Sequence, residues 1–272
     1  RLGANGTAAG LLRGIADGTT IAGVCFLNLE NASVAASRRD DGIVLRGEVA
    51  AVPDAAAADI LLAVAEDADG TALFAVQTGS PGVSIAPERG IDPTRKYFRV
   101  TFDAAPAQRL AAVSNEDIAA VIDDVLIAAA ADALGAARTV MDLAIEYAKT
   151  RRQFGQPIGS FQAIQHLCVD MYETVELARS GVIHALWASD ACPGTDDADS
   201  ERHLAALRAK AFSGRLAAVG DTAIQVFGGI GYTWEHDAHL YLKRLLSWSA
   251  FLGGPDRYLT ELGARLAKRG RQ

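Results

Sequence analysis

The sequence predicts an α+β protein, an antiparallel β domain followed by a C-terminal helical bundle. From residue 19 to about 113, apolar residues come in short alternating runs separated by Gly, Pro and Asp, as strands and turns require. From Ser114 almost to the end they recur at helical spacing over stretches much longer than a strand. Of the 272 residues 50% are apolar and 22% charged, enough hydrocarbon to bury a core and too little charge for disorder.

Residues 6–17 read as one amphipathic helix with nothing before it to pack on, and the chain starts at Arg1 rather than at an initiator, so further residues are expected upstream. Strands are expected at 21–27, 43–52, 60–65, 72–77, 83–86 and 97–102, with turns such as Asp40-Asp41-Gly42 and Gly79-Ser80-Pro81-Gly82 between them. Ser114 with Asp117 three residues on is a helix-start pair. The first long helix should run over 116–151 and stop at the turn Phe154-Gly155-Gln156-Pro157-Ile158-Gly159. A second is expected over 161–189, ending in the polar loop after Cys192, and a third over 200–227, ending at Gly228-Gly229-Ile230-Gly231. A fourth covers 236–248 and a last one 255–268, with Leu143, Tyr147, Met171, Leu207 and Phe212 buried between them. The expected domains are residues 1–18, 19–113 and 114–272.

A net charge of -7 leaves no basic field to collect a nucleic-acid backbone. Three scattered cysteines, Cys25, Cys168 and Cys192, without CxxC or HxxxH spacing, argue against a disulfide framework and a metal site and suit a reducing cytoplasm. No apolar run reaches the roughly 18 residues of a membrane span, and the start has no signal-peptide pattern.

Two motifs carry chemistry. In Arg151-Arg152-Gln153-Phe154-Gly155-Gln156-Pro157-Ile158-Gly159-Ser160-Phe161-Gln162, a guanidinium at a helix end, a glycine-bearing turn and an amide at the next helix start suit a diphosphate. The same residues equally suit a plain interhelical turn. In Gln225-Val226-Phe227-Gly228-Gly229-Ile230-Gly231-Tyr232 the glycines let a ligand approach the backbone and Gln225 offers donor and acceptor, although a helix terminator would read the same way. No strand precedes this motif, so it is not a dinucleotide fingerprint.

At this separation, in a bundle after a β domain, the two motifs resemble those of the acyl-CoA dehydrogenases. The resemblance covers nearly all of the chain and makes residues 6–17 the last helix of an N-terminal helical domain that is mostly missing here. It implies a flavoprotein in which a carboxylate removes the α-proton of an acyl-CoA while the β-hydride goes to FAD, forming a 2-enoyl-CoA, with electrons leaving to an electron-transfer flavoprotein. It also implies that Arg151, Gln153, Phe154 and Gln162, then Gln225, Gly228 and Gly229, bind the FAD of a neighbouring subunit.

The sequence departs from that pattern at the chemistry. The usual Glu-Gly-Thr stands here as Leu252-Gly253-Gly254, and a leucine accepts no proton. The alternative base position on the first bundle helix falls near Val125, with Asp123 and Asp124 one or two residues off its face. Phe26-Leu27-Asn28-Leu29-Glu30-Asn31 and Gly47-Glu48-Val49-Ala50-Ala51-Val52-Pro53-Asp54 also lack the hydroxyls and the stacking aromatic that hold a flavin ring. Missing base and ring contacts beside intact trans-acting contacts resemble the non-catalytic subunit of actinobacterial heteromeric acyl-CoA dehydrogenases, α2β2 with a homologous subunit, some of them acting on steroid side-chain CoA thioesters. The competing expectations are a self-sufficient enzyme with Asp123 or Asp124 as base and a non-enzymatic scaffold.

Overall fold

The computed structural model describes residues 6–26, 32–40, 42–191 and 201–269. Most of the segment from Phe26 to Asn31, Asp41 of the first turn and the loop after Cys192 lie outside them. Two compact units result, one of residues 1–90 and 95–118, the other of residues 91–94 and 119–272.

The first unit carries helix α1 (Gly6–Asp17) and strands β1 (Ala22–Val24), β2 (Ala32–Arg39), β3 (Gly42–Pro53), β4 (Ile60–Asp67), β5 (Gly70–Gln77), β6 (Val83–Glu88) and β7 (Tyr97–Ala112). Long β7 is the organiser, pairing antiparallel with β3, β5 and β6. β4 pairs with β5, β3 with β2, and β2 returns to β4 at the bridge Ala35/Glu66, so the sheet curls back on itself. Inward residues Leu45, Val49, Leu61, Phe74, Val76, Val100 and Phe102 form its core. Bulges at Ala51 (φ 55°) and Ala104 (φ 53°) bend β3 and β7 where the register shifts.

The sheet is not wholly antiparallel as expected, because β1 runs parallel to β4 and the β2–β4 bridge is parallel as well. Strand β2 was not anticipated: Ala-Ser-Val-Ala-Ala-Ser-Arg-Arg has little β-propensity, and eight paired positions along β3 supply what composition does not. β7 continues past Phe102 through Pro106, a residue that would demote a strand in sequence reading.

The second unit is helical: α2 (Asn115–Thr150, which starts in the first unit), α3 (Gln162–Ala191), α4 (Glu201–Ser213), α5 (Ala217–Phe227), α6 (Ala238–Ala250) and α7 (Pro255–Arg269). Ser114 Oγ accepts the Asp117 N–H (3.1 Å) while Asp117 accepts the Ser114 N–H (2.9 Å), a reciprocal cap for α2. Alanines dominate the core, with Ala130, Ala133, Ala137 and Ala144 of α2 and Ala178, Ala185 and Ala188 of α3 buried, and short side chains let helix backbones approach. Met171 and Leu207 are buried, Tyr147 and Phe212 half-buried. Leu143 is 39% exposed, contrary to expectation, because it lies one residue, about 100°, off the α2 face that carries Val140 and Ala144. The helix expected over 200–227 is two helices: Gly214, in the 3-10 turn between them, lies so close to Pro255 that an added Cβ would stand 2.9 Å from its Cβ. No helix of the described residues is long and apolar enough to cross a membrane.

Charged groups tie α2 to α4. Buried Arg202 donates to Ala120 O (3.0 Å) and pairs with Asp124. His203 Nδ1 lies 3.0 Å from both oxygens of Asp123, whose carboxyl burial pushes up in pKa against the pull of His203 and Arg202. Both aspartates are therefore fasteners between α2 and α4.

Replacing Asp123 by Asn leaves His203 facing an amide inside the bundle, and urea unfolding should show a loss of about 2 kcal/mol; a variant as stable as wild type would remove the fastening role. Buried Cys25 gives a pH test. Desolvation lifts its thiol from 9.0 to about 12, so the folded state keeps a proton that the unfolded chain gives up. That stability is whole below pH 9 and is lost as pH rises toward 12, and a Cys25→Ala chain should lack that share of the alkaline decline.

Candidate functional site

The first motif is a hairpin between two helices. The Arg151 N–H makes the last helical bond of α2, to Tyr147 O at 2.8 Å. Arg152 then pairs with Pro157 and Gln153 with Gln156, leaving Phe154 (φ 52°) and Gly155 (φ 81°) as the two tip residues, both left-handed as a tight two-residue turn demands. Arg152 donates to Gly155 O at 2.9 Å across the tip. Gly159 has a packing reason, since an added Cβ would stand 3.0 Å from Ala148 O. The Phe154 ring is 91% exposed and meets Phe161 edge-on, centroids 6.1 Å apart. Arg151, Gln153 and Gln162 are exposed, and none of their side chains has a hydrogen-bond or ion-pair partner among the described residues. Gln162 opens α3, whose Ile164 and Gln165 N–H groups bond Phe161 O.

The second motif ends α5. Gly228 (φ 65°) terminates the helix, and a 3-10 turn covers Gly228–Tyr232. An added Cβ at Gly228 or Gly229 would meet nothing within 4 Å, whereas one at Gly231 would stand 2.9 Å from Phe227 Cβ. Gly231 is thus a packing glycine, and the other two leave open backbone. Gln225 is exposed and its amide uncommitted among the described residues. The Tyr147 and Phe227 rings, 5.0 Å apart, bring the two motifs to one end of the bundle. Phe227 also packs on His236 at 4.3 Å, and His236 Nδ1 accepts the Ala238 N–H at the start of α6. Tyr232 and Trp234 extend this surface outward, with Lys243 Nζ 5.1 Å from the Trp234 ring centre. Open glycine backbone, an unpaired guanidinium and three free amides fit a diphosphate, which needs charge-assisted donors and close approach.

The position where the resemblance puts a base lies past α6. Leu252 is half-buried in a left-handed conformation (φ 54°), Gly253 follows at φ 107°, and Tyr258 Oη donates to Leu252 O at 2.7 Å. No carboxylate is presented from residue 252. Val125 is half-buried and apolar, and its neighbours Asp123 and Asp124 are engaged by α4. In β3 the segment from Gly47 to Asp54 offers one acid on the strand itself, Glu48, which pairs with Arg99.

Sequence reasoning missed Lys210, which has no exposed surface. Its one signal was register, since it lies four residues after Ala206 and three before Ser213, on a face of small buried residues. The exposure of Tyr232 and Trp234 carried no signal at all.

A sequence model of the acyl-CoA dehydrogenase C-terminal domain matches residues 125–267. Acyl-CoA dehydrogenase FadE34 of Mycobacterium tuberculosis (strain ATCC 25618 / H37Rv) is 41% identical over 199 residues, 72% of this chain, which spans only 26% of FadE34. Among solved structures, a variant of the Tcur3481-Tcur3483 steroid ACAD superposes with a TM-score of 0.84 at 29% identity, covering 98% of this chain and 73% of that one. The ChsE4-ChsE5 complex from Mycobacterium tuberculosis gives 0.81 at 26% identity, over 93% and 68%. With motifs, architecture and these matches in agreement, the chain belongs to the acyl-CoA dehydrogenase family.

Proposed function

We propose that this chain is a subunit of an FAD-dependent acyl-CoA dehydrogenase that contributes flavin contacts to a homologous partner subunit and no catalytic base of its own. The observation that carries this is the contrast between two surfaces. Residue 252 presents an isobutyl group, while Arg151, Gln153, Gln162 and Gln225 stand exposed and unengaged beside the open backbone of Gly228 and Gly229. When bound, FAD supplies the hydride acceptor for α,β-dehydrogenation of an acyl-CoA to a 2-enoyl-CoA. Arg151 would fork onto phosphate oxygens, the glycine backbone would let the ligand come close, and Gln225 would donate and accept at its edge. Phe154 would cover the contact and exclude water. The ChsE4-ChsE5 complex supports a heteromeric assembly, α2β2 in this reading, and the steroid ACAD supports a steroid side-chain thioester over a plain fatty acyl chain. Electrons would pass to an electron-transfer flavoprotein, and the working place would be the cytoplasm. In domain terms, residues 19–113 are the middle β domain, 114–272 the bundle and 1–18 the end of an N-terminal helical domain.

The test is flavin retention. The chain alone should purify colourless and become yellow when co-expressed with a homologous subunit that carries the carboxylate. Arg151→Ala should weaken FAD binding by the complex about ten- to a hundredfold, as loss of a charge-assisted contact does, with Gln225→Ala milder and the thermal midpoint of the isolated chain unmoved. The FAD-to-protein ratio after dialysis reads this directly, and unchanged ratios in both variants with normal assembly would leave the scaffold role instead.

A further inference from the structure

Lys210 is fully enclosed, and no carboxylate among the described residues pairs with it. An ammonium held that way is costly unless its N–H groups find acceptors. They do: Nζ donates to Trp248 O at 2.5 Å and to Ser249 O at 3.3 Å, 3.9 Å above the centre of the Trp248 ring and 5.8 Å from that of Tyr258. The Trp248 indole is fixed in turn by donating to Ser213 Oγ at 3.0 Å, and that hydroxyl donates to Ala209 O at 2.6 Å. The two carbonyls gripped by Lys210 belong to the last turn of α6, where the helix dipole favours a cation, and Trp248 O also accepts the Phe251 N–H.

The backbone just beyond that turn is strained. The Phe251 N–H bonds Ser247 O and Trp248 O, the Gly253 N–H bonds Ala250 O at 3.1 Å, and between them Leu252 sits at φ 54°, a conformation that costs a branched side chain free energy and persists only where its surroundings impose it. Tyr258 Oη on Leu252 O is the second grip. Both grips are hydrogen bonds to backbone carbonyls.

We propose that Lys210 is a positioning residue that fixes the end of α6 and, with Tyr258, holds the Leu252-Gly253 turn in its left-handed shape whatever side chain residue 252 carries. The base position of the family is thus a backbone device in this chain, one that keeps its form with a leucine in place of the acid. Burial also pushes Lys210 down to about 7, so its proton is exchanged within reach of neutral pH. Of the charged groups on adjoining elements, Glu176 and Arg179 of α3 pair with each other, Asp256 of α7 lies 3.8 Å from Arg215, and exposed Arg257 lies against the turn itself, its Nη1 3.3 Å from where a Cβ at Gly253 would stand.

Hydrogen exchange and NMR on the isolated chain test the clamp, and neither flavin nor partner enters, so a failure here is separate from a failure of the trans-acting reading. In Lys210→Met the Gly253 amide should exchange at least tenfold faster than in wild type, with Ala137 and Ala178 amides in the core unchanged within twofold. Lys210→Gln, which keeps N–H donors, should recover most of the protection. Equal Gly253 exchange in wild type and folded Lys210→Met overturns the proposal. Should the Met variant not fold, wild type decides: as Lys210 titrates between pH 6 and 10.5, the Trp248 and Ser249 carbonyl carbons and the Leu252 and Gly253 amides should shift with its midpoint, and carbonyls that stay still overturn it. Because the folded amine binds its proton more weakly than the unfolded one, stability linked to Lys210 should rise from pH 7 toward 10.5 in wild type, and that rise should be missing in Lys210→Met.

Discussion

The tilted contact between Tyr147 and Phe227 decides where the functional end of the bundle stands. Tyr147 lies one turn before the end of α2 and Phe227 is the last residue of α5, so this pair sets the distance between a hairpin and a glycine turn that are more than seventy residues apart in sequence. Everything near it is built around close approach. Gly231 exists because Phe227 leaves no room for a methyl group, and Gly159 because the chain returns against the Ala148 carbonyl. These packing glycines hold in place the glycines that have no packing duty, Gly155, Gly228 and Gly229, and those are the ones whose backbone lies open.

At the other end of α2 the means are different. An alanine-rich core brings helix axes near but gives each residue little apolar area, so register needs something more directional. Arg202 and His203, adjacent on α4, take Asp124 and Asp123, adjacent on α2. Two adjacent contacts in matched order, an ion pair to Arg202 and a hydrogen bond to His203, cannot both be satisfied if α4 slides by one residue. Both carboxylates are thus already engaged by side chains of α4.

Much of the architecture is legible in the sequence. Helix spans come out within a few residues wherever glycine, proline or a Ser-x-x-Asp pair marks the ends, since those signals act on the local backbone. Strand β2, the parallel pairing of β1 and the division at Gly214 are not legible, because each is decided by a distant neighbour: β3, β4 and Pro255 respectively. The motif residues stand out as a group in the sequence, but their lack of partners is visible only in three dimensions. Lys210 escapes for the reverse reason. A lysine in a helix reads as solvated, and only the α6 carbonyls above it explain why this one is not.

Phe154 is a large aromatic side chain held at positive φ, at a cost of roughly 1 to 3 kcal/mol. A glycine or asparagine would occupy that tip without strain. Within the chain the ring gains one edge contact with Phe161 and is otherwise in water, so nothing here offsets either the strain or the exposed hydrocarbon. Arg151, on the same surface, is exposed, and its guanidinium has no partner among the described residues. A strained, exposed ring with no return inside its own chain makes physical sense where a second surface covers it, and the unpaired guanidinium beside it suits the phosphate contact proposed above.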